Sequence, residues 1–163
     1  ADRTSYEYEG KTYGSGTVAG NGIYLRHVWG TLVPGFYANP EENHTAYATR
    51  WIYSKKARTA KLSLEFQNYS RSESDLPPLQ GTWDYKGSRA WINGEEIQPP
   101  VWQNTNTERS NELPLRNENA VSREPIEIHL RQGWNKLVLK LPVGKFSGKE
   151  TRLVKWMFSA TVK

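Results

Sequence analysis

Three rings and five polar side chains crowd the middle of the chain. Trp83, Tyr85 and Trp102 supply flat aromatic faces, and Arg71, Asp75, Arg89, Asn104 and Arg109 supply guanidinium, carboxylate and amide groups. That mixture suits sugar. Aromatic faces stack on the C–H faces of pyranose rings. Planar amides, carboxylates and guanidinium groups pair with the hydroxyls. A ring flanked by prolines and amides also serves to anchor a loop, so each of these aromatics stands between ligand platform and anchor. The set lies in or just beyond the stretch Phe66–Trp102, FQNYSRSESDLPPLQGTWDYKGSRAWINGEEIQPPVW, most of it a long polar connection. Long ordered loops on a rigid scaffold are where binding groups concentrate.

Catalytic chemistry has less to stand on. His27, His44 and His129 belong to no HExxH, GxSxG, phosphate-loop or dinucleotide pattern. His27 reads as a packed strand histidine, His44 as a loop residue and His129 as exposed. The carboxylate pairs Glu41-Glu42 and Glu95-Glu96 are sequence neighbours, which diverge rather than converge on one bond. Glu73, Asp75 and Asp84 could meet in the central connection, where Arg71 and Arg89 would neutralise them. Asp75 and Asp84 are also the one pair offering hard oxygen ligands to calcium, without the spacing of a calcium loop. No cofactor is expected otherwise. An independent esterase or glycosidase remains the weakest of three readings, behind a sugar-binding module and a purely structural domain.

The elements that would position these groups read as strands. Ala60, Leu62, Leu64 and Phe66 alternate with Lys61, Ser63, Glu65 and Gln67, a period of two that predicts an antiparallel strand with one wet face. Residues 23–29 predict a strand, and residues 45–53 another. In the latter, Tyr47, Thr49, Trp51 and Tyr53 share one face and Ala46, Ala48, Arg50 and Ile52 the other, and either could be core. Ser88–Asn93 predicts a strand ended by Asn93-Gly94, the pair that a two-residue hairpin turn favours, with Glu95–Ile97 returning. Ile126, Ile128 and Leu130 precede a tight turn at Gln132-Gly133, and Leu137, Leu139 and Leu141 follow it. A last strand sets Val154, Trp156 and Phe158 against Leu153, Lys155 and Met157. Residues 1–22 are a Gly-, Tyr- and Ser-rich leader, read as loop or irregular edge, and 103–123 are polar and loop-like. Short strands, turn signals and no helical period predict an all-β antiparallel sandwich in one domain, 1–163.

The chain has 163 residues and no Cys, so disulfides, thiolate nucleophiles and Cys-based zinc sites are excluded. Mean hydropathy is −0.78, and aromatic residues make up 12%, so the apolar content sits largely in rings. No run approaches the length of a membrane span. Net charge is +5. Residues 123–163 carry nine Lys or Arg against three Asp or Glu, but these fall on the polar faces of alternating strands, so nucleic acid is not the expected partner. The chain opens ADRTSYEYEG, with neither a starting Met nor an apolar signal core. That predicts a fragment or processed chain. The sequons at Asn43 and Asn68 are taken as chance.

The segments GIYLRHVWGTLVPGFY, LEFQNYSRSESDLPPLQGTWDYKGSRAWINGEEIQPPVW and GWNKLVLKLPVGKF resemble the C-terminal domain appended to family 20 β-N-acetylhexosaminidases of Bacteroides-type bacteria. The resemblance runs over nearly all of the chain from Gly22. RAWINGEEI followed by GWNKLVLKLP is also similar to galactose-binding-like sandwiches. The resemblance implies a non-catalytic jelly roll on a periplasmic, cell-surface or secreted bacterial glycosidase. Its partners would be a glycan and the catalytic domain of the same chain. Catalysis in that family belongs to a barrel with an adjacent Asp-Glu pair. This chain has no Asp-Glu dipeptide and no βα alternation, so no catalytic residue carries over.

Overall fold

The computed structural model describes residues 5–27, 32–67, 80–101, 124–148 and 154–163. Ten strands lie in them: β1 (Ser5–Tyr8), β2 (Lys11–Gly14), β3 (Gly22–Arg26), β4 (Thr45–Ser54), β5 (Arg58–Gln67), β6 (Arg89–Ile92), β7 (Glu95–Glu96), β8 (Ile126–Leu130), β9 (Gly133–Pro142) and β10 (Trp156–Val162). No helix occurs among the described residues. Two four-stranded antiparallel sheets, β3-β10-β5-β8 and β4-β9-β6-β7, carry one shared apolar core in a sandwich-like arrangement. The alternating rows of β5, β8 and β9 face inward as their period demands. Leu62, Leu64, Phe66, Ile128, Leu130, Leu137, Leu139 and Leu141 are all buried, each contributing about 1.5–3 kcal/mol relative to an exposed side chain.

Three local features add to the sequence reading or depart from it. The leader contains a hairpin, β1–β2, with Tyr8 opposite Lys11. Glu9 and Gly10 adopt φ of 47° and 74°, the two left-handed positions of a tight turn. Every residue of β1 and β2 is exposed, so no buried row existed to mark them as strands.

The turn at Gln132-Gly133 joins two sheets rather than making a hairpin, since β8 pairs with β5 while β9 pairs with β4 and β6. Asn135, fully buried, fastens this corner. Its Oδ1 accepts from the Arg131 backbone N–H at 2.8 Å and from Asn93 Nδ2 at 2.8 Å. Its Nδ2 donates to the carbonyls of Arg131 at 2.9 Å and Gly133 at 3.1 Å. Asn93, at φ 53° in the turn between β6 and β7, returns the bond by accepting the Lys136 N–H at 3.0 Å. The Asn-Gly turn and the Gly-Trp-Asn start of β9 therefore meet in space as one hydrogen-bonded clasp.

The outer side of the β3-β10-β5-β8 sheet is not uniformly wet. Glu65, expected on a solvent face, is 1% exposed, and Met157 and Lys155, of the row set against Trp156 and Phe158, are 2% and 1% exposed. The period of a single strand does not report that burial. A bulge between Trp156 and Met157 where β10 meets β3 places both side chains out of solvent.

Candidate functional site

The β4-β9-β6-β7 sheet shows the opposite behaviour. Its outer face is open and lined with rings. Tyr47, Trp51 and Tyr53 of β4 and Trp134 of β9 are 47–65% exposed. The inner face takes Ala46, Ala48 and Ile52 against the core. The reason lies across the sandwich. Trp156 reaches this layer, its indole N–H donating to the Leu141 carbonyl at 3.0 Å, and Leu141 is the register partner of Ala46. Tyr37 stacks on the same indole at 5.4 Å. With that volume filled from the other side, β4 supplies small residues inward and its rings outward.

Register sets the face out in rows. Tyr47, Lys140 and Arg89 lie across β4, β9 and β6. Thr49, Val138, Trp91 and Glu96 form the next row, reaching β7. Trp51 faces Lys136, and Tyr53 faces Trp134. The Lys136 ammonium sits 5.4 Å from the Trp51 ring centre, and Tyr53 meets Trp134 edge-on at 5.3 Å. Arg89 pairs with Glu96 at 3.8 Å, both largely exposed. Alternate residues of one strand lie about 7 Å apart, so Tyr47 to Tyr53 spans roughly 20 Å. Beside it, a cavity of about 510 Å³ borders the free edge of β4, with Arg50, Trp51, Ile52, Tyr53, Arg58 and Val162 among its lining.

The site residues expected from sequence disperse. Trp83 is 5% exposed. It packs edge-on against Phe66 at 5.4 Å and donates its indole N–H to the Ile97 carbonyl at 3.2 Å. It is a core anchor, not a sugar platform, because both a neighbouring ring and a backbone acceptor hold it inside. Asp84 next to it is also buried. Its carboxylate accepts the Lys86 and Ser88 N–H groups at 2.9 and 3.0 Å and the Ser88 hydroxyl at 2.6 Å. That closes a turn whose own donors occupy the oxygens offered above to calcium. Tyr85 stands at the tip of this turn, 57% exposed. Arg89 belongs to the ring-lined face. Trp102, Arg71, Asp75, Asn104 and Arg109 lie outside the described residues.

The carboxylates at the other end of β4 also have structural work. Glu42 accepts the N–H groups of Phe146 and Ser147. A hydrogen bond from the Ser147 side chain first, then those two backbone bonds and the charge of Lys145, hold its pKa below the usual carboxylate range. Glu41 pairs with His44 Nε2 at 3.0 Å. Arg26 lies over the Phe146 ring at 4.1 Å, and burial lowers its pKa, opposed by the charge of Glu42. His27 packs edge-on against Tyr24 at 5.0 Å, and His129 is exposed. Among the described residues, no group of three or more His, Asp or Glu gathers at metal-binding distance. Among the same residues no helix is long and apolar enough to cross a membrane.

Tyr47, Trp51, Tyr53 and Trp134 are the candidates that the sequence reading left unassigned. The signal of the first three was present as the odd row of β4, and Trp134 is their cross-strand neighbour on β9. What the row alone did not say was which side of the strand the core occupies. Searches of protein-family models, curated proteins and solved structures find no match to this chain.

Proposed function

We propose that this chain is a non-catalytic carbohydrate-binding domain, a galactose-binding-like jelly roll carried by a periplasmic, surface or secreted bacterial glycoside hydrolase of the β-N-acetylhexosaminidase kind. The observation that carries the reading is the open ring-lined face of the β4-β9-β6-β7 sheet. Four exposed aromatics on one sheet face are not needed to close the core, which is filled from the other side of β4. A flat row of rings with hydroxyl, ammonium, guanidinium and carboxylate groups between them matches what an extended glycan presents. C–H faces stack on the rings and hydroxyls bond to the polar groups between them. Binding groups on strands are also held more rigidly than those on loops.

The test is a glycan array followed by titration of the 163-residue chain. Binding to an N-acetylhexosamine- or galactose-containing oligosaccharide is expected, and Trp51→Ala with Tyr53→Ala should abolish it while leaving the melting temperature within a few degrees. No binding across the array, or unchanged affinity in the double variant, refutes the proposal.

A second reading has its own support in the free edge of β4 beside the rings: the face packs against the catalytic barrel of the same polypeptide. Exposed aromatics next to Arg are equally the composition of interface anchors. Deleting the domain from such a polypeptide would then lower its melting temperature and leave glycan affinity unchanged.

A further inference from the structure

The rings of the β4-β9-β6-β7 face are interleaved with cations. Lys140 lies in register between Tyr47 and Arg89, and Lys136 lies opposite Trp51 with its ammonium over that ring's margin. Both lysines are half-buried residues, as expected of long charged side chains that lay their stems along a surface of rings. Among the described residues, the strand positions facing outward on this sheet carry one carboxylate, Glu96, and Arg89 already pairs with it at 3.8 Å. Neither Lys136 nor Lys140 has a carboxylate within ion-pair distance among the described residues. Past the free edge of β4, Arg50 and Arg58 line the cavity that Trp51 and Tyr53 also border. By strand alternation Arg50 lies on the face of β4 opposite the rings, so the cations among the rings themselves are Lys136, Lys140 and the paired Arg89.

We infer that the ligand of this face is an anionic glycan, a chain of pyranose units bearing carboxylate or sulfate groups. The inference rests on reading the face as a sugar-binding surface and adds the charge of the sugar. Rings take the C–H faces, and the substituents of a stacked unit project sideways into the rows where Lys136 and Lys140 stand. An ammonium on a flexible stem accepts carboxylate and sulfate alike, since it acts as a point charge and not a planar fork. Single-stranded nucleic acid also uses rings and cations. Glu96 and the exposed Thr49 argue for sugar, because a sugar hydroxyl donates to a carboxylate while a phosphodiester chain only repels it.

The experiment titrates the whole chain with four probes. Hyaluronan hexasaccharide carries carboxylate alone, chondroitin sulfate hexasaccharide adds sulfate, chitohexaose is neutral, and an oligothymidylate represents nucleic acid. At least one anionic sugar should bind about tenfold more tightly than chitohexaose, equivalent to ~1.4 kcal/mol. That preference should shrink as salt rises from about 0.05 to 0.5 M. Lys140→Gln, and separately Lys136→Gln, should weaken the anionic sugar several-fold more than chitohexaose, so that the preference for the anionic sugar narrows. Trp51→Ala should weaken both. Chitohexaose bound as tightly as the anionic sugars, without salt dependence, overturns the inference while the sugar-binding reading stands. No binding of any sugar overturns both. Oligothymidylate bound more tightly than every sugar overturns the inference in favour of nucleic acid.

Discussion

Removing the amide of Asn135 tests the reasoning about the fold most directly. The side chain is 0% exposed and makes four hydrogen bonds of 3.1 Å or less, two accepted and two donated. Asn135→Ala strands the Arg131 N–H, two carbonyls and the Asn93 amide. A typical intramolecular hydrogen bond contributes about 1 kcal/mol net, so the four together are worth about 4 kcal/mol. Arg131 is exposed, and water entering from that side recovers part of this, leaving an expected loss of about 3 kcal/mol. For a chain of this size that lowers the melting temperature by roughly 6–12 °C. Urea denaturation followed by tryptophan fluorescence reads the same quantity, with an unchanged m-value. Asn135→Asp is nearly isosteric, yet it turns a second acceptor toward the carbonyls of Arg131 and Gly133. That carboxyl would titrate above its ordinary range in the folded protein. The variant's stability is then greatest below the unfolded carboxyl pKa and falls as pH rises through the folded value. Asn93→Ala removes the partner amide, and a cycle with Asn135→Ala should show strong coupling because the two side chains share a bond. A loss below about 1 kcal/mol for Asn135→Ala, or a carboxyl variant as stable as wild type near neutrality, would refute the clasp as the corner's fastening.

The other expectations use the same kind of measurement. Gly35 lies where an added Cβ would meet the Leu25 carbonyl oxygen at 2.5 Å. The loop there donates to β3 through the Phe36 and Tyr37 N–H groups, so Gly35→Ala should cost about 1–3 kcal/mol by thermal denaturation. Trp83→Ala should cost about 3–5 kcal/mol, and a variant that kept full stability while losing glycan affinity would contradict its place as an anchor. The lowered pKa of Glu42 means that its bonds to Phe146 and Ser147 stabilise the protein above the unfolded carboxyl pKa of about 4.3 and are lost as pH falls through the folded value. Glu42→Gln should therefore be less stable than wild type near neutrality, with the gap between their melting temperatures closing in acid. Burial raises the pKa of Tyr37, so its contribution holds below about pH 10 and is lost as pH rises through the folded value. Tyr37→Phe should flatten the alkaline limb of the stability profile.

The strands with one clean apolar row were legible, because a row such as Leu137, Leu139 and Leu141 has only one plausible burial. So was the Asn93-Gly94 turn, whose positive φ values, 53° and 88°, few other residue pairs tolerate. Connection between sheets was not legible. Nothing in Gln132-Gly133 distinguishes a hairpin from a corner, and the residue that decides it, Asn135, looks like an ordinary polar member of β9 until its partners are seen. The faces of β4 were undecidable for a related reason. Hydrophobicity alone would put Trp51 and the tyrosines inside. The volume already taken by Trp156 and Tyr37 puts alanines there instead, and that information lies far along the chain. Trp83 and Trp51 show the same limit from opposite sides. One sits in a polar loop sequence and is buried; the other sits in a regular strand and is exposed.

That inversion bears on where a site should be sought in a sandwich rich in rings. A loop aromatic needs an anchor to hold its own backbone, and Trp83 meets that need with Phe66 and the Ile97 carbonyl. A strand aromatic on an outer face has its backbone held by the ladder already, so its ring is free to meet something else. Cross-strand pairs such as Tyr53 with Trp134 contribute about 0.2–1 kcal/mol to the sheet, which is small against the cost of leaving such rings in water. The outer side of the β3-β10-β5-β8 sheet bears a buried patch around Glu65 and Met157, while the rings stay on the face that is open. If stability alone had shaped the surface, the rings would lie in the buried patch and Glu65 would lie outside. The arrangement is the reverse, and that is why the open face, not the loop around Trp83, carries the proposed function.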